Sequence, residues 1–157
     1  MKTLATVLLF TVFAAGFVHG FRPVRATAQN VALAGFDPVV IYAKGKARRG
    51  YKKFSIEKDG VIWYFEDATN RKLFGMHPEM FVPEFGGYCA VGVAYGNIDE
   101  DAQPEAFVVH EGKIYFVHDQ ATLRAFRKDP DTMIAQARAK WAEMTKAQEE
   151  ASKSEDS

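Results

Sequence analysis

Two stretches, GVIWYFEDATNRKLF at residues 60–74 and GKIYFVHDQATLRAF at residues 112–126, decide how this chain is read. Each opens on a glycine, runs through β-branched and aromatic residues, reaches an aspartate and then changes to helical spacing. They align without a gap at an offset of 52: Gly60 on Gly112, Ile62 on Ile114, Trp63 on Tyr115, Asp67 on Asp119, Phe74 on Phe126, and beyond them Pro78 on Pro130. Asp59-Gly60 and Glu111-Gly112 are turn pairs, so each aromatic run is the second strand of a hairpin, the first containing Phe54 and Ile56 or Phe107 and Val109. Asp67 and Asp119 are helix N-caps. A repeated strand-turn-strand-helix unit is the leading explanation. Convergence competes with it, because turns and caps recruit the same residues for physical reasons.

A further helix follows. Asp129 caps it, Pro130 takes the first helical position, where no amide donor is needed, and Met133, Ala137, Trp141 and Met144 recur at packing intervals. The predicted class is α+β: a small antiparallel sheet built from two hairpin-helix units plus a C-terminal helix. Residues 146–157, KAQEEASKSEDS, have no apolar anchor and read as a polar flexible tail.

The N-terminus, MKTLATVLLFTVFAAGFVHG, places one lysine before an uncharged apolar run at residues 4–18. That is a signal-peptide pattern, with cleavage after residue 20 or 28, and it predicts a periplasmic or secreted protein. The run falls short of the ~20 residues of a spanning helix, so membrane attachment would come only through an uncleaved leader. Residues 1–28 carry Lys2, Arg22, Arg25 and no acid, so removing them leaves 17 of the 20 bases against 20 acids. Such a mildly acidic domain, with no basic patch interleaved with aromatics, is not expected to bind nucleic acid.

One cysteine is present, Cys89, in PEFGGYCA at residues 83–90. An exported lone thiol has no internal disulfide partner and is open to oxidation unless buried or used. Gly86-Gly87 supply the backbone freedom for a tight turn and for close approach of another group. No Cys-x-x-Cys pair, paired-histidine helix or phosphate-cradling loop accompanies it.

Taken together, GFDPVVIY at 35–42, YFEDATNRKLFGMHPEMFVPEFGGYCA at 64–90 and the hairpin-helix ending near Trp141 resemble the YHS domain family, in particular its small exported single-domain members. The resemblance spans residues 33–142 and sets the domain at residues 29–145. YHS domains of the metal-handling kind carry three further cysteines, whose positions here are Val40, Glu66 and Asn70. The resemblance therefore implies a metal-associated role without the usual thiolates. The remaining soft or borderline donors are Cys89, Met76, His77 and Met80, with His118 at the repeat position of Glu66, a set compatible with copper(I). Asp37 and Tyr88 are the accompanying ligand-contact candidates.

Each candidate has a plainer role: His77 as a solvated loop residue, Met76 and Met80 as gap fillers, His118 in a local hydrogen bond, and Asp37 as a turn former within an otherwise apolar, strand-like AGFDPVVIY. Three functions follow in order: a metal-associated binding module with copper as its cofactor, a non-catalytic domain with a buried Cys89 binding a small ligand or an unidentified protein, and a thiol-dependent enzyme.

Overall fold

The computed structural model describes Ala26, residues 30–98 and residues 102–155. Apart from Ala26, the signal peptide expected at residues 1–28 lies outside the described residues. No described helix is long and apolar enough to cross a membrane.

Both hairpins form where the turn chemistry places them. Strand β1 (Tyr51–Lys58) pairs antiparallel with β2 (Val61–Phe65), and β3 (Phe107–His110) with β4 (Lys113–Phe116). Both two-residue turns have positive φ at each position, 53° and 74° at Asp59-Gly60 and 48° and 70° at Glu111-Gly112. This primed turn matches strand twist, which is why a glycine is needed at its second position.

Each second strand leads into a capped helix. Asp67 accepts from the Asn70 amide at 2.8 Å and opens α2 (Ala68–Met76); Asp119 accepts from the Thr122 amide at 2.7 Å and opens α5 (Gln120–Phe126). The two caps share one backbone shape, φ/ψ of −150°/177° and −152°/−178°. Pro78 then starts the short α3 (Pro78–Phe81), and Pro130 starts α6 (Pro130–Glu155). The two hairpin-helix units thus follow a common plan.

The hairpins do not join into the one sheet expected; they form two separate two-stranded sheets. Their inner edges are taken by other segments through single parallel bridges, Val31 with Ile62 and Cys89 with Phe116. The AGFDPVVIY segment also departs from its strand-like reading. Pro38–Lys44 is a helix, α1, with Asp37 as N-cap and Gly45 closing it in the left-handed conformation at φ 59°.

Two cores result. Val61, Trp63 and Phe65 from alternate positions of β2 pack with Phe74 and Phe81 in the first, where the Trp63 and Phe74 ring centroids lie 4.9 Å apart. Val93, Leu123, Phe126, Ile134 and Ala137 form the second with Cys89. Strand β4 divides them, sending Ile114 and Phe116 into the first while Tyr115 points into the second. Helix α6 lies on α4 (Ala90–Ala94) and closes the second core: Trp141 packs on Phe85, and Arg138 donates to the Tyr115 hydroxyl at 3.1 Å. The polar residues read as a tail continue α6 to Glu155, since lysine, glutamate, glutamine and alanine are good helix formers and Lys146 pairs with Glu150 one turn on.

Candidate functional site

Asp37 is fully buried and saturated with hydrogen bonds. Its Oδ1 accepts from the amides of Val39 (2.8 Å) and Val40 (3.2 Å); its Oδ2 accepts from the Glu66 amide (2.7 Å) and Asn70 Nδ2 (2.8 Å). One carboxylate thereby ties the start of α1 to the β2–α2 junction, 29 and 33 residues away. A buried anion is tolerated where donors surround it. Val40, Glu66 and Asn70 are the positions at which the resemblance to metal-handling YHS domains places cysteines. Here all three serve as donors to Asp37, which is a structural clasp rather than the ligand contact expected of it.

Cys89 occupies the corresponding place in the second unit. The 52-residue offset, legible in sequence only over residues 60–78, extends back to Leu33. Leu33, Ala34 and Gly35 take φ of 50°, 49° and 84°; Phe85, Gly86 and Gly87 take 54°, 62° and 81°. The chain then runs extended through Phe36 or Tyr88 to an N-cap, Asp37 of α1 or Cys89 of α4. Cys89 is 1% exposed, its sulfur accepting from the Gly92 amide at 3.4 Å. Gly86 and Gly87 serve this left-handed turn. A Cβ on Gly87 would come within 2.9 Å of Leu33, so the close approach they permit is to another part of the chain, not to the thiol.

The other candidate donors do not gather around Cys89. Met76 (58% exposed) ends α2, Met80 (39%) lies on α3, and His77 stands between them with its ring toward Glu79 at 3.6 Å. This corner packs through Phe74 and Phe81 onto the first core, whereas Cys89 is sealed in the second. Tyr88, half-buried, packs its ring on Trp141 at 5.9 Å. His118, also half-buried, adjoins Asp119, whose carboxyl is held below its ordinary value first by the Thr122 amide and to a lesser degree by His118. Among the described residues no three histidine, cysteine, aspartate or glutamate side chains are placed to hold a metal ion. The donor set read from sequence does not fit a copper centre, because a shared ion needs ligands converging to within ~2.5 Å of one point.

A concave site does form elsewhere. A groove of about 380 Å³ runs beside β3, lined by Tyr42 and Gly45 at the end of α1, Phe107, Val108 and Val109 of β3, Glu105 before it, and Gln120 and Leu123 of α5 with its C-cap Arg127. That volume falls in the ~300–1,000 Å³ range of ligand clefts. Tyr42 sets one wall, its ring edge-on to Phe81 at 5.4 Å and its hydroxyl 3.7 Å from where a Cβ on Gly112 would lie. Gln120 fixes the other, its Nε2 donating to the Glu105 carbonyl at 2.8 Å. Among the described residues the Arg127 guanidinium makes no ion pair. Sequence reading named none of these as site residues, because they come from three segments that only folding joins. The one local signal was FVVH at residues 107–110, a strand with no lysine, glutamate or proline along it.

No family model, curated protein or solved structure matches this chain, so the likeness to YHS domains rests on the motifs quoted above.

Proposed function

We propose that this protein is an exported, non-catalytic binding module whose ligand lies in the groove between α1, β3 and α5. The observation that carries the reading is the groove's makeup: a mixed lining, somewhat more polar than apolar, in which Phe107, Val108, Val109 and Leu123 stand with Tyr42, Glu105, Gln120 and Arg127. A cleft of this volume that mixes apolar side chains with polar groups suits a small amphipathic ligand. Arg127 is the cation of a lining that also holds the Glu105 carboxylate, and it is the group that would receive an anionic end of the ligand. Cys89 lies outside this lining, buried as an N-cap, which removes the support for a thiol nucleophile; catalysis by a thiol requires an accessible and activated sulfur.

The test is a titration of the ¹⁵N-labelled protein with 4-phenylbutyrate, a small amphipathic carboxylate. Saturable shifts at Tyr42, Val108 and Arg127, weakened at least tenfold in Arg127→Glu, are expected. Absence of saturable shifts there rejects the groove as a ligand site. Stoichiometric copper(I) binding under anaerobic conditions, lost in Cys89→Ser, would return the metal-associated reading to first place.

A further inference from the structure

The groove has the shape of a missing strand. In a hairpin closed by a two-residue turn, the residues flanking the turn exchange hydrogen bonds and pairing alternates outward from them. His110 and Lys113 flank the turn, so His110, Val108 and Ala106 face β4, as the bond from the Val117 amide to the Ala106 carbonyl at 2.9 Å bears out. Phe107 and Val109 therefore direct their amides and carbonyls away from β4, into the groove, and among the described residues these groups have no hydrogen-bond partner. Helix α1 stands over one face of this free edge and α5 over the other.

Free edges are normally guarded. Strand β1 is guarded: it carries Lys52, Lys53, Glu57 and Lys58, and its pairing is irregular between Tyr51 and Ser55. Strand β3 has no lysine, arginine or carboxylate and no irregularity, its one ionisable residue being His110 at the turn, 2.7 Å from Asp131, and Val109 is 36% exposed on it. An unguarded edge lying in a walled groove suits one slim strand better than a second folded domain.

Building on the groove reading above, we infer that the ligand is an extended peptide that adds to β3 as a further strand and carries an acidic side chain toward Arg127. Glu105 and Phe107 to Val109 line the groove, and the span they cover, at ~3.3 Å per residue, accommodates about five residues of peptide. Backbone bonds to Phe107 and Val109 give affinity independent of sequence. Side chains alternate between the Tyr42 wall and the Leu123 and Arg127 wall, which gives selectivity. Arg127 selects a carboxylate by charge complementarity.

The experiment uses the full-length mature protein and a pool of acetylated, amidated pentapeptides with aspartate at the centre and valine, isoleucine, threonine or phenylalanine at the flanks. Binding is expected to shift the Phe107 and Val109 amides and slow their hydrogen exchange at least tenfold. Val109→Pro removes an amide that β4 does not use, so it is expected to leave the hairpin folded and abolish peptide binding. Replacing the central aspartate by lysine is expected to weaken binding at least tenfold, and Arg127→Glu to reverse that preference. If 4-phenylbutyrate shifts the groove while no peptide protects the two amides, the peptide inference fails and the groove reading stands. If neither binds, both fail. Peptide binding that survives Val109→Pro also overturns strand addition.

Discussion

Asp37 and Cys89 stand at the same point of one backbone plan, 52 residues apart: each follows a three-residue left-handed turn, and each caps a short helix. What differs is the company they keep. Asp37 receives four hydrogen bonds, including one from the Asn70 side chain, whereas the position matching Asn70 is Thr122, whose side chain carries no amide. A carboxylate needs those donors to be buried, and a thiol does not.

Asp37→Asn puts an amide NH₂ where the Glu66 amide and Asn70 Nδ2 now donate. Donors would face donors in a fully buried site, so a loss of about 3 kcal/mol or more is expected. Urea unfolding with the slope held common to both proteins measures it. A loss within error of zero would mean that Asp37 is not the clasp described.

Cys89→Asp transplants the first unit's cap into the second without its partners, and it is expected to cost about 2–5 kcal/mol. Adding Thr122→Asn, which restores the counterpart of Asn70, is expected to recover part of that loss. A double-mutant cycle reads the coupling directly. Strict additivity of the two changes would deny the equivalence of the two sites.

Cys89 should resist thiol reagents. Its sulfur is covered by the second core, so labelling in native buffer requires opening of the fold and is expected to run at least ~1,000-fold slower than in denaturant. Mass spectrometry after timed alkylation follows it. Rapid native labelling would place the sulfur at the surface.

Asp119 makes stability depend on acid. Hydrogen bonding by the Thr122 amide holds its carboxyl below the ordinary range. A depressed carboxyl stabilises the fold at pH above its unfolded value, and that contribution disappears as pH falls through the folded value. The gap in urea midpoint between the parent and Asp119→Ala is therefore expected to be largest at neutral pH and to narrow as pH falls below the unfolded carboxyl value of about 3.9. A gap constant with pH would show that the cap acts without its charge.

What the sequence disclosed was local chemistry. Turn pairs, caps and helix-starting prolines act within four residues, and each appears in the fold where its residues stand. Helix α1 escaped because Val39, Val40 and Ile41 are β-branched and read as strand, although Asp37-Pro38 already spelled a cap and a first helical position. The early part of the repeat escaped because its likeness lies in torsion angles: Leu33-Ala34-Gly35 and Phe85-Gly86-Gly87 share only the final glycine. The candidate metal set was the least legible. Closeness in sequence between Met76 and Cys89 said nothing about the two cores into which the chain would divide them.

One feature of that division governs how the molecule comes apart. Because Ile114 and Phe116 belong to one core while Tyr115 points into the other, neither core can be exposed without stripping one face of β4. Tyr115, hydrogen-bonded across to Val108 and shut in by Arg138, sits where both losses meet. Its amide should therefore exchange with solvent only through complete unfolding, at the same free energy as the calorimetric transition. Truncating Phe74 in one core or Phe126 in the other should lower a single melting temperature without splitting it in two.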